Sequence, residues 1–136
     1  NRWTAPNIAW PSGLAANAIA YGGGLYVMGG TNGNIATSTD GVTWTPRPSA
    51  TTSTIYTMSY GASKFVAAGQ LGVMETSTNG IAWTTQNSGT VTQINKVAYL
   101  NSALFLSAGQ AFLATSTDAV TWTSRTLTTP ATTTIN

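Results

Sequence analysis

The sequence predicts an all-β protein with three four-stranded antiparallel repeats of 39 residues, and three observations carry that prediction. The run Thr37-Ser38-Thr39-Asp40-Gly41-Val42-Thr43-Trp44 returns in altered form at 76–83 and at 115–122, so Trp44, Trp83 and Trp122 stand 39 residues apart. Tyr21, Tyr60 and Tyr99 keep the same interval. Within each interval the apolar residues form short runs bounded by turn residues, and nowhere do they recur at helical spacing over a useful length. A repeat of this period with four strand signals reads as a β-propeller blade, a unit that must stack on a neighbour to cover its apolar face.

The intervals divide the chain into an N-terminal strand and connector (1–16), a first blade (17–55), a second (56–94), a third (95–133) and the start of a further repeat (134–136). In the first blade the strand signals fall at 17–21, 25–28, 34–39 and 42–45. The second signal, Leu25-Tyr26-Val27-Met28, is apolar on both faces, as are Phe65-Val66-Ala67-Ala68 and Leu104-Phe105-Leu106. That pattern suits strands covered on both sides, so these are expected to be the most buried. Gly22-Gly23-Gly24 links the first two strands, and Asn32-Gly33 precedes the third, where positive backbone angles are easily supplied. Asp40-Gly41 and Asn79-Gly80 carry a two-residue hairpin signature. In the third copy Ala119 follows Asp118, and its side chain makes a left-handed position costly, so that hairpin is expected to be distorted or less stable.

With the repeat laid out, the chain resembles the Asp-box, or BNR, repeats of β-propellers found in sialidases and in many secreted or phage-borne proteins. The resemblance covers most of the chain. The family pattern runs Ser-x-Asp-x-Gly-x-Thr-Trp, whereas Ser38-Thr39-Asp40-Gly41-Val42-Thr43-Trp44 lacks the residue between Asp and Gly. The resemblance implies that the Asp turn joins the third and fourth strands on the outer rim. It also implies structural roles: Asp40 and Asp118 accept local backbone hydrogen bonds, Asn79 substitutes with its amide oxygen, and Trp44, Trp83 and Trp122 pack over the turns.

Of 136 residues, 26 are Thr and only eight are charged, so the surface is expected to be wetted by hydroxyls and amides. Arg2, Arg47, Lys64, Lys96 and Arg125 against Asp40, Glu75 and Asp118 give a formal charge of +2. They are scattered, which gives no footprint for nucleic acid. The absence of Cys excludes disulfides and thiolate metal sites, and the absence of His removes the commonest metal ligand and general base. No apolar run approaches the ~18 residues of a membrane-spanning helix, and no signal-peptide pattern opens the chain. Asp40, Glu75 and Asp118 are spread over the repeats, too far apart for a calcium cage, so neither metal nor cofactor is expected. The start at Asn1 leads to the expectation of a processed product, an excised domain or a partial chain.

Catalysis finds little support. Related sialidases combine an arginine triad with a Tyr nucleophile and acidic partners on one face, whereas Arg47, Gln86 and Arg125 are repeat-equivalent and are expected one per blade in structural roles. Glu75 stands where the other copies have Ala36 and Ala114, and it is read as a solvated or lysine-paired strand residue. Gly22-Gly23-Gly24 has no P-loop context. For ligand binding the suggestive residues are Trp10, unique to the first connector, and Gln70 and Gln110, which follow the second strands. Trp10 has a competing reading as a cap on the first blade or a subunit contact, and both Gln residues as local turn contacts.

Closed propellers usually have four to eight blades, so three must be completed, either by self-association into a six-blade ring or by further blades in a longer chain. The first is the expectation for the isolated chain. Arg2-Trp3-Thr4 reads as the end of an earlier fourth strand, and Thr134-Ile135-Asn136 as the approach to another first strand. The sequence therefore ranks first a non-enzymatic structural and adhesion module of a virion fibre or bacterial surface protein, extracellular or virion-borne. A carbohydrate-binding propeller lectin ranks second and a sialidase-like glycosidase fragment last. The loop residues differ from copy to copy more than the core positions do, which favours a scaffold over a lectin with one pocket per blade.

Overall fold

The computed structural model describes the backbone of residues 7–8 and all of residues 15–126. It is all-β, with three sheets in chain order. The first contains β1 (Asn7–Ile8), β2 (Ala16–Gly22), β3 (Leu25–Gly30), β4 (Ile35–Ser38) and β5 (Thr43–Arg47). The second contains β6 (Ile55–Gly61), β7 (Lys64–Gly69), β8 (Met74–Ser77) and β9 (Thr84–Thr85), and the third β10 (Ile94–Leu100), β11 (Leu104–Gly109), β12 (Phe112–Ser116) and β13 (Thr123–Ser124). Each of these four-stranded sets is an antiparallel meander, and the first strands begin at Ala16, Ile55 and Ile94, 39 residues apart. In the first sheet β1 adds a fifth strand, parallel to the outer strand β5, with Asn7 opposite Thr43 and Ile8 opposite Trp44. Nothing in the residue pattern announces that pairing.

The sheets stack face to face. Calling the face toward the preceding blade the front, the back of blade 1 (Ala18, Ala20, Leu25, Val27, Ile35) meets the front of blade 2 (Ile55, Met58, Tyr60, Phe65, Ala67, Trp83). The back of blade 2 (Val66, Ala68, Met74) meets the front of blade 3 (Ile94, Val97, Tyr99, Phe105, Trp122). Strand alternation explains both seams: Phe65 and Ala67 point one way and Val66 and Ala68 the other, so β7 is buried on both faces. The third strands Ile35–Ser38 and Met74–Ser77 are buried throughout their lengths, each flanked by paired strands on both sides, and the front of β4 lies under Trp44 of its own blade.

Turn geometry follows the glycines where they exist and overrides their absence elsewhere. Gly23 and Gly24 occupy left-handed positions between β2 and β3, and Asn32 and Gly33 do so before β4. Blade 2 forces Ala62 and Ser63 into the same angles, φ 48 and 58. Blade 3 departs in two places that cancel in the count. The turn 101–103 is one residue longer than its counterparts, and the turn 110–111 before β12 is one shorter than Gln70–Gly72. The 39-residue interval conceals this pair of changes.

Candidate functional site

The turn built on Asp40, Asn79 and Asp118 repeats one set of hydrogen bonds in all three blades. After β4, Ser38 Oγ donates to Asp40 Oδ1 at 2.9 Å and accepts from Gly41 N–H at 2.8 Å, while Asp40 Oδ1 accepts from Val42 and Thr43 N–H at 2.8 and 2.9 Å. Asn79 repeats these contacts through its amide oxygen with Ile81 and Ala82, and Asp118 with Val120 and Thr121. Trp44, Trp83 and Trp122 each donate Nε1–H to the carbonyl of Gly41, Gly80 and Ala119 at 3.2 Å. The backbone bonds from Thr43 and Val42 hold Asp40 below the ordinary carboxylate range, and those from Thr121 and Val120 do the same for Asp118.

Two expectations for these turns are corrected. The connection is a four-residue turn over 39–42, not a two-residue hairpin, and Asp40 is not at positive φ, so the Asp-Gly pair does not form the doubly left-handed turn its spelling suggests. The third copy is not distorted: Ala119 takes φ 61, and every hydrogen bond of the motif is kept. Ala119 is fully buried in the second seam, in the cluster that holds Val66 and Phe105. At Gly80 an added Cβ would lie 2.7 Å from Leu25 Cδ2 and 2.9 Å from Val27 Cγ2. The repeat puts Lys64 at the place of Leu25 for the next seam, and Lys64 reaches along the turn to donate from Nζ to Asp118 O at 2.9 Å.

Glu75 is neither solvated nor lysine-paired. It lies on the front of β8, 1 % exposed, where the carboxylate accepts from Ser49 Oγ, 3.0 and 3.2 Å from its two oxygens, and from Ala50 N–H at 2.9 Å. It thus fastens the connector that crosses from blade 1 to blade 2. Burial pushes its carboxyl above the ordinary value, and the bonds from Ala50 and Ser49 offset part of that. Ala114 has no such carboxylate to offer in blade 3, and there Ser88 Oγ donates instead to Gly72 O at 2.6 Å. Opposite Ala114, the hydroxyl of Ser107 is buried without a partner in the second seam.

The remaining sequence candidates fall apart in space. Arg47 donates Nε–H to Thr37 Oγ1 at 2.8 Å, Gln86 donates to Thr76 Oγ1 at 3.0 Å, and Arg125 donates to Thr115 Oγ1 at 2.8 Å, so the same bond ties the third strand to the fourth in each blade. Gln70 accepts from Thr54 N–H through Oε1 at 3.3 Å, the role that Thr31 plays toward Ala15 in blade 1. Gln110 begins the shortened turn of blade 3 and is exposed. Trp10 lies outside the described residues, as do the segments at 2–4 and 134–136. Sequence reasoning missed one feature: a shallow cavity of about 170 Å³ where the first strands meet, lined by Asn17, Ile19, Tyr56, Thr57, Met58 and Lys96. Its signal lies in the irregular register at Asn17 and Tyr56, which turns one residue of each first strand out of the ladder. Among the described residues no group of three or more acids forms a metal cluster, and no helix is long and apolar enough to cross a membrane.

Comparison with curated proteins finds no match. The family model of the DUF6242 beta propeller domain matches residues 1–93, which takes in the N-terminal segment and the first two sheets and ends one residue before β10. The stacked four-stranded meanders and this match agree, and the chain belongs to the DUF6242 beta propeller family.

Proposed function

We propose that the chain is a non-enzymatic structural and adhesion module, a stretch of propeller completed by other blades, of the kind carried by a virion fibre or a bacterial surface protein. The observation that supports this most directly is where its polar chemistry goes. Asp40, Asn79 and Asp118 are held in turns, Glu75 under a connector, and Arg47 and Arg125 on strand threonines. Groups occupied in this way are poorly placed to act on a substrate, since catalysis requires them to be free to gain or lose a proton at a reacting atom. The geometry of the Asp turn also favours kinship with Asp-box repeats, and the hydroxyl-rich surface suits an extracellular or virion setting.

A carbohydrate-binding propeller is the second reading, favoured by the cavity whose lining includes Tyr56, Lys96 and Asn17, the last donating its amide N–H to Ile55 O at 3.1 Å. The two readings separate in one experiment. Purified chain on a glycan array and with chromogenic glycosides is expected to show neither selective binding nor turnover. Selective glycan binding that Tyr56→Ala removes while leaving the melting temperature unchanged would overturn the scaffold reading in favour of the lectin.

A further inference from the structure

Both internal seams follow one plan. The tyrosine near the end of one blade's first strand lies over the glycine that ends the preceding blade's first strand, Tyr60 over Gly22 and Tyr99 over Gly61. A Cβ built on either glycine would lie 2.1 Å from a tyrosine ring carbon, so the seat exists only where the side chain is absent. At the matching end of β10 stands Leu100, which pairs with Leu104 as Gly22 pairs with Leu25 and Gly61 with Lys64. The turn that follows carries its extra residue at the same corner. Lys96 stands where Thr57, 4 % exposed, accepts Val97 N–H across the second seam at 3.0 Å. The back of blade 3 therefore lacks the seat.

The front of blade 1 keeps its half of the plan. Tyr21 packs on Tyr26 with ring centroids 4.5 Å apart, as Tyr60 does on Phe65 at 4.7 Å and Tyr99 on Phe105 at 4.5 Å. Tyr21 and Ile19 are 57 % and 59 % exposed, while Met58, the counterpart of Ile19, is buried in the first seam. In a second copy of the chain the seats at Gly22 and Gly61 are already filled by its own tyrosines, and Leu100 closes the third position.

We infer that the front of blade 1 docks on the back of a blade of this same repeat that ends its first strand in glycine, and that Leu100 excludes the third blade of a second copy from that role. This rests on the reading of the chain as a propeller module completed by other blades, and it turns away from a six-blade ring of two identical chains. The test restores the seat in the full chain with Leu100→Gly and Lys96→Thr and with Ala103 deleted, and reads self-association by sedimentation equilibrium. The restored chain is expected to associate about 30-fold more tightly than the wild type, the effect of one buried aromatic anchor. Adding Tyr21→Ala is expected to abolish that gain, whereas Tyr21→Ala alone leaves the wild type's association unchanged. A folded restored chain no tighter than the wild type would overturn the inference. If circular dichroism shows the restored chain unfolded, the wild-type comparison decides: a dimer dissolved by Tyr21→Ala refutes it, and independence of Tyr21 sustains it. Glycan binding and turnover, read separately, bear on the module reading and not on this seat.

Discussion

Glu75 and Ser107 are two residue-scale departures from the repeat, and each yields a measurable consequence. Glu75 holds a connector but does so from a buried position that disfavours its charge, so its folded-state affinity for a proton exceeds that in the unfolded chain. The linkage then has a definite sign. Stability contributed at this position is greatest below the ordinary value of 4.5 and falls as pH rises from there through the raised folded value. Glu75→Gln removes this dependence, so the stability of wild type minus variant, from urea titrations at several pH values, is expected to decline with rising pH across that window. Asp40 and Asp118 have the opposite sign, with stability present at neutral pH and lost on acidification, and they cancel in the difference. Ser107 carries a buried hydroxyl without a partner where the preceding blade has Ala67. Ser107→Ala is therefore expected to be neutral or to stabilise by up to about 1 kcal/mol in denaturant unfolding, since it removes an unsatisfied polar group.

At the scale of single elements, the second strands carry the packing, and β7 is the clearest case because a blade lies on each of its faces. Phe65 is 2 % exposed and packs beside the Tyr60 and Trp83 rings of its own blade, on the face that meets blade 1. Phe65→Ala is expected to cost about 3–5 kcal/mol in chemical denaturation, and a near-neutral result would contradict the placement of β7 between two blades. The burial of β3 and β7 is legible in the sequence because a short run that is apolar on both faces suits a strand covered on both sides, whereas β11, with the same pattern, keeps Leu104 and Leu106 half-buried because no described blade lies on its back. The Asp turns are legible as places, but their four-residue form is not, since Asp-Gly spells a shorter hairpin than the one that Ser38, Asp40 and Trp44 stabilise together. The left-handed angles of Ala119 and Ala62 escape sequence reasoning for a related cause. Propensity assigns a cost to a left-handed alanine; Ala119 is nonetheless buried beside Val66, far away in the chain, and Ala62 is set by the pairing of Gly61 with Lys64 on either side of its turn. The role of Glu75 is hidden likewise, because its partners, Ser49 and Ala50, lie about one strand pair upstream.

Over the whole molecule, the regular interval of Trp and Tyr makes the stacking of three blades readable, whereas the character of the two ends is not. Leu100 looks like one more apolar strand residue until the seats at Gly22 and Gly61 show what that position must accommodate. The described structure presents a front face with its tyrosine exposed and a back face whose seat is closed, so growth of the propeller has a direction: a glycine-bearing blade fits before blade 1, and an identical blade 1 does not fit after blade 3. The most direct test is the solution mass of the wild-type chain and of Tyr21→Ala by light scattering across a dilution series. Directional stacking predicts that Tyr21→Ala leaves the mass unchanged, with no dimer held through blade 1. A stable species near twice 14.0 kDa that the substitution returns to 14.0 kDa would contradict it.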